Sequence, residues 1–363
     1  MIKLPGLIDP HVHLREPGDT HKEDWRTGTR AALAGGFTIV LAMPNTRPPV
    51  TDAETLSLAL KAAGEGACCD YAQFIGAGAE NAAAAGQLSR QAAGLKLYLD
   101  QTYGPLRLDA LADWQAHFAA WPKHLPISVH AEGRSLAAAI LFAGWFDRPL
   151  HLCHISTRDD ILLVRQAKEH GLKVTCEVTP HHLFLDSASL DHLGAGMASV
   201  KPPLASPADV QALWDNLDVI DCFATDHAPH TLAEKQSPTP PPGFPGLETA
   251  LPLLLTAVRE GRLTLDDIIL RCYTNPQRIY RLPVQTSTWI EVDPDARWEI
   301  TPDHLQTRCA WTPFAGRQVF GRVRRVVLRR QVVFEDGVVL APTGSGRNLR
   351  LESRRKFLPN GQI

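Results

Sequence analysis

Long apolar runs are missing from this chain of 363 residues: no stretch approaches the roughly 18 to 20 consecutive apolar residues that a membrane-crossing helix needs. The N-terminal MIKLPGLID lacks a charged segment followed by an apolar one, so no secretory leader is expected and a cytoplasmic location is. An excess of either charge is missing as well. Lys and Arg number 37 against 39 Asp and Glu, for a formal net charge of -2. That balance gives no reason to expect nucleic acid or a membrane surface as a partner. Cysteine is sparse and unordered, an odd seven at positions 68, 69, 153, 176, 222, 272 and 309. Such scatter argues against a disulfide framework and fits a reducing compartment. No G-x-G-x-x-G follows the first apolar run, which removes the usual nucleotide signal of an open doubly wound sheet, the competing fold.

What is present is a regular alternation. The chain is 44% hydrophobic, enough for a large core. Short β-branched or apolar runs at 7–13, 36–43, 70–76, 94–99, 125–131, 149–155, 172–178 and 219–226 alternate with Ala/Leu-rich segments of helical period. These include 22–34, 53–65, 108–121, 159–170 and 208–217. Strand-helix repetition of this kind predicts an α/β fold, a (β/α)8 TIM barrel over 4–280, with its active site at the C-terminal strand ends. Beyond Arg281 the pattern changes to short strands at 288–292, 322–328 and 331–334, with Glu335-Asp336-Gly337 as a hairpin turn. A small β-rich subdomain over 281–345, completed by the N-terminal residues, is expected there, followed by a polar, basic tail or linker at 346–363.

The predicted strand ends carry polar residues. His11 and His13 are two apart, so on a strand they share a face and can point at one metal ion. An isolated H-x-H is often only a pair of ordinary polar residues. Here His130 follows the fifth strand, Cys153 and His154 the sixth, Glu177 the seventh, and Asp226 and His230 the eighth, all on the same predicted rim. Lys96 lies within the apolar strand Gly-Leu-Lys-Leu-Tyr. A free ammonium there is repelled by metal ions and costly to bury, whereas CO2 uptake turns the amine into an anionic carboxylate able to bridge two ions. Arg15, just beyond the first strand, offers a bidentate fork for a carboxylate.

Together these residues resemble the binuclear centre of the amidohydrolase superfamily, in its cyclic-amidase branch. The strings PGLIDPHVHLREPG, AMPNTRPP, GLKLYL, HAE, CHIS, CEVTPHHL, ATDHAPH and PPPGFPGLET are similar to those of the dihydroorotases, above all to the dihydroorotase domain of the animal multifunctional pyrimidine-synthesis protein. The likeness runs from about residue 4 to about 340. It implies one Zn2+ on His11, His13 and Asp226 and a second on His130 and His154, with carboxylated Lys96 and a hydroxide bridging them. It further implies Asp226 as the proton carrier in the reversible closure of N-carbamoyl-L-aspartate to dihydroorotate. A third zinc on His11, Cys153 and Glu177 is suggested by the animal pattern.

The resemblance assigns the substrate carboxylate to Arg15, Asn45 and His230, and makes 100–106 a closing loop whose Thr102 and Tyr103 touch the substrate. This chain departs from the animal pattern at Tyr103, where that pattern has Phe, and at Lys201, where it has Arg in a segment reaching the substrate. A homodimer is implied, as is association or fusion with aspartate transcarbamoylase and carbamoyl phosphate synthetase. The competing readings are another cyclic amidase, allantoinase or dihydropyrimidinase, and a non-catalytic scaffold.

Overall fold

The computed structural model describes residues 1–351. Eight parallel strand positions in chain order build a barrel. They are β2 (Leu7–Val12), β3 (Phe37–Ala42), β4 and β5 (Asp70–Gln73 and Ile75–Gly76, one strand interrupted at Phe74), β6 (Leu95–Tyr98), β7 (Ile127–His130), β8 (Leu150–Leu152), β9 (Val174–Val178) and β10 (Cys222–Phe223). Each pairs with the next, and a bridge between Val12 and His227, with His13 N donating to His227 O at 2.7 Å, brings the last strand back to the first. Every residue of β2, β3, β6 and β7 is buried, as expected of parallel strands covered on both faces.

The strands are shorter than the apolar runs suggest. The eighth keeps only two ladder residues, because the chain turns away at Ala224 to carry Asp226 and His227 over the barrel mouth. Helix starts also shift, for a local reason. The helix expected from Lys22 begins at Trp25, since Asp24 turns its carboxylate onto Thr27 N and caps it. The other four run Ala53–Gly66, Leu111–Ala120, Arg158–Glu169 and Pro207–Asp215.

A five-stranded antiparallel sheet of order β1-β11-β12-β13-β14 flanks the barrel, with β1 (Ile2–Pro5) pairing β11 (Trp289–Glu299) and then β12 (Gln318–Leu328), β13 (Gln331–Glu335) and β14 (Val338–Val339). The N-terminal residues thus complete the appended sheet as expected. Asp336 and Gly337 have φ of 44° and 89° between β13 and β14, the two left-handed residues of a type I′ hairpin turn. Of the expected tail, residues 347–350 pack on the barrel: Tyr71 N donates to Arg347 O, and Arg350 donates to Ala93 O and Tyr280 O. The remainder, 352–363, lies outside the described residues. Among the described residues, no helix is long and apolar enough to cross a membrane.

Candidate metal centre

Residues within and just past the C-terminal ends of the strands converge on one buried cluster. His11 and His13, on one face of β2, have ring centroids 5.2 Å apart, and both reach Asp226 Oδ1, from His11 Nε2 at 3.3 Å and His13 Nε2 at 3.0 Å. His11 Nδ1 lies 2.5 Å from Glu177 Oε1 and His13 Nδ1 lies 2.6 Å from Asn45 Oδ1. With both Nδ1–H groups donating to those oxygens, each ring turns the lone pair of its Nε2 toward a carboxylate oxygen. Two lone pairs and an anionic oxygen repel unless a cation sits among them, so this donor set fits a metal ion. His151 Nε2, 3.0 Å from Glu177 Oε2, fixes the carboxylate behind His11. Burial works against the charged form of Asp226, yet where protons take the place of that cation the charges of His11 and His13 hold its carboxyl well below the usual range.

A second group adjoins the first. His154 is 5.4 Å from His11 by ring centroid and 4.6 Å from His130, with His130 Nδ1 and His154 Nε2 2.9 Å apart. His130 Nε2 lies 3.4 Å from Glu132 Oε1 without hydrogen-bond geometry, and His154 Nδ1 is buried without any partner. Orphaned buried imidazole nitrogens of this kind mark a place for a ligand. Lys96, fully buried, has Cys153 Sγ at 2.9 Å as the one side-chain acceptor of its Nζ among the described residues.

Cys153 and His154 both face this cluster. On a regular strand they would point to opposite sides, but β8 ends at Leu152 and His154 takes a left-handed φ of 36°, which turns its ring inward. Donor atoms of His11, His13 and Asp226 lie within 4.8 Å of one another, and so do those of His11, Cys153 and Glu177.

Beside the cluster lies a cationic pocket. Arg15 donates from Nε to Pro229 O at 3.0 Å and approaches His230 Nε2 at 3.0 Å, with Lys22 Nζ 3.2 Å from His230 Nδ1. Burial and these two cations depress the His230 pKa far enough to keep its ring neutral. Tyr103 seals the pocket. Its ring packs edge-on against His230 at 5.0 Å, and its hydroxyl donates to Asp19 Oδ2 at 2.6 Å while accepting from Lys22 and Arg47. These contacts tie the 100–106 loop to Asp19, Lys22, Arg47 and His230.

Asn45, expected on the substrate carboxylate, here bonds within the protein. Its oxygen serves His13 and its Nδ2 donates to Tyr103 O at 3.0 Å, so it ties a candidate metal ligand to the loop. Thr102 is half-buried and Lys201 exposed, and among the described residues neither side chain hydrogen-bonds into the cluster.

Sequence reading missed Lys22, Asp9 and His151. Asp9 accepts from His11 N and from Thr225 N and Oγ1, the latter at 2.5 Å, locking the first strand to the last. Its position two residues before His11 on the same face was a usable signal. Lys22 sits on a loop with no periodicity to betray it.

The family model described as "Amidohydrolase family" matches residues 2–286. The Multifunctional protein CAD of Squalus acanthias is 56% identical over 351 residues, 96% of this chain but only 16% of that protein. The Dihydroorotase of Pyrococcus furiosus is 35% identical over 99% of this chain and 88% of its own length. Among solved structures, the Inactive dihydroorotase-like domain of a Chaetomium thermophilum CAD-like multifunctional protein is 32% identical, with a TM-score of 0.82 over 96% of this chain and 99% of that one. On the family match and on these relatives, the chain belongs to the amidohydrolase family, on its dihydroorotase branch.

Proposed function

We propose that the chain is a dihydroorotase, interconverting N-carbamoyl-L-aspartate and dihydroorotate plus water in pyrimidine synthesis. The observation carrying this reading is one buried cluster holding His11, His13, Lys96, His130, His154 and Asp226 beside a pocket built on Arg15. In this reading His11, His13 and Asp226 would hold one Zn2+ and His130 and His154 another, with Lys96, once it had taken up CO2 and released a proton, as a further anionic ligand. Bound there, the ions supply Lewis acidity, polarising the ring carbonyl and lowering the pKa of water toward neutrality. In the hydrolytic direction Asp226 takes a proton from the attacking water at its free carboxylate oxygen and returns it to the departing ring nitrogen. In ring closure it takes the proton from the ureido nitrogen and delivers it to the leaving oxygen. His11, Cys153 and Glu177 form the place for a third zinc once His11 Nδ1 gives up its proton; three rather than two zinc per chain by metal analysis supports it.

The substrate carboxylate pairs with the Arg15 fork, whose Nη groups are not consumed by Pro229, while neutral His230 keeps the pocket's geometry without adding charge. Arg15→Lys is expected to raise KM for dihydroorotate roughly 10- to 150-fold, the loss of about 1.5–3 kcal/mol of charge-assisted hydrogen bonding, with kcat reduced less; steady-state kinetics checks it. Tyr103→Phe removes a hydroxyl contacting Asp19, Lys22 and Arg47 but keeps the ring on His230. A KM increase of about threefold to tenfold is expected, with faster proteolytic nicking within 100–107, and unchanged nicking would refute the latch.

The inactive relative favours one other reading, a scaffold without activity. Turnover of dihydroorotate by the zinc-loaded protein, set against hydantoin, dihydrouracil and allantoin, decides among dihydroorotase, another cyclic amidase and the scaffold. The chain spans about a sixth of its multifunctional relative, and joining or association with the enzymes that make its substrate, aspartate transcarbamoylase and carbamoyl phosphate synthetase, is part of this proposal. So are a homodimer and a boundary near residue 280 between barrel and appended sheet.

A further inference from the structure

The end of the barrel opposite the metal centre carries a cavity of about 470 Å3 where β7, β8 and β9 begin. Its lining includes Lys123, His124, Lys173, Arg278 and Arg281, the rest being Pro, Val, Thr and Ile, with no carboxylate. Lys173 is ion-paired, 2.6 Å from Asp147 on the open surface, and Arg278 Nη2 donates to Asn275 Oδ1 at 3.4 Å; among the described residues Lys123, His124 and Arg281 have no ion pair.

Three further observations mark the region as built for negative charge. Arg148, immediately before a proline of the lining, is 2% exposed, yet its Nε and Nη2 have no hydrogen-bond partner. A buried guanidinium is normally paired, because desolvation without compensation is costly. Arg281 holds a left-handed φ of 49° just past the helix Asn275–Ile279, a position that glycine occupies without strain. Finally, His124 has its pKa lowered by burial and then by the positive charges of Arg281, Arg90, Arg148 and Arg350.

We propose that this cavity is an anion site for a small polyphosphate, the di- or triphosphate group of a soluble metabolite. Its volume falls within the range of small-molecule pockets. Cations converging from three chain segments suit a ligand with several charged oxygens better than a single carboxylate. The site lies at the end of the barrel away from the catalytic cluster and is independent of the reaction assigned to it.

Titration calorimetry of the zinc-loaded protein with tripolyphosphate tests this at about 0.1 M salt. One site with Kd below about 0.1 mM is expected. It should weaken at least tenfold in Arg278→Ser/Arg281→Ser while dihydroorotate turnover is unchanged. Lys123→Ala/Lys173→Ala, which leaves the helix end intact, should weaken it severalfold even if the first variant fails to fold. No binding overturns the proposal. So does equal binding by both variants, which would put the anion at the metal centre, and so does equal affinity for sulfate, which would mean diffuse charge attraction only.

Discussion

Changing Lys96 to alanine is expected to lower dihydroorotate turnover by at least about a thousandfold, to reduce bound zinc below two per chain, and to leave a protein that small carboxylic acids partly revive. The expectation rests on where Lys96 sits. It is fully buried among His130, His154 and Cys153, with the Cys153 thiol as its one side-chain acceptor among the described residues. An ammonium in that place opposes any cation held by the neighbouring imidazoles, while the carboxylated amine attracts two. Acetate or propionate entering the space left by Lys96→Ala supplies the missing anion, so added acid should raise activity and zinc content together. Lys96→Arg keeps a positive charge and fills the space, and no acid should rescue it. Full activity in Lys96→Arg would sink the idea of a carboxylated amine here.

The relation between pattern and structure is uneven in an instructive way. His11 and His13 were legible because a strand period of two is a strict geometric rule, and β2 obeys it up to Val12. The eight strand positions were legible because buried parallel strands concentrate Val, Ile and Leu. Cys153 and His154 could not be oriented from the same rule, since β8 stops one residue earlier and His154 bends into left-handed backbone. Arg15 and Asp226 share this feature, with φ of 60° and 45°. Each such non-glycine residue costs on the order of 1–3 kcal/mol, and the surrounding packing and hydrogen bonds must offset it. Strain of that kind leaves no trace in periodicity. Nor does the mooring of Tyr103: Asp19, Lys22 and Arg47 meet its hydroxyl from two loops, and loop contacts follow from closure of the barrel rather than from any local pattern. Asn45 shows the converse. Its place after the second strand follows from the strand pattern, but its contacts to His13 and the Tyr103 carbonyl come from loop closure that no local pattern encodes.

Asp226→Asn separates the two duties given to one carboxylate. Asparagine keeps the shape and leaves an amide oxygen facing His13 Nε2, where Asp226 Oδ1 now stands at 3.0 Å, but it cannot take up and return a proton at reaction pH. Positioned general acid–base catalysis contributes about 10²- to 10⁴-fold. A fall in kcat toward the upper end of that range is therefore expected, because the same group serves both the attack and the departure. KM should change little, since the substrate carboxylate is held by Arg15. Zinc content should stay near that of the unaltered protein, which Asp226→Ala, lacking any ligand oxygen, should fail to match. If kcat survives in Asp226→Asn, the proton travels by another group. His181 is then the one to replace next: it is buried, its Nε2 lacks a partner, and Asp226 and His11 lie close enough to influence its pKa.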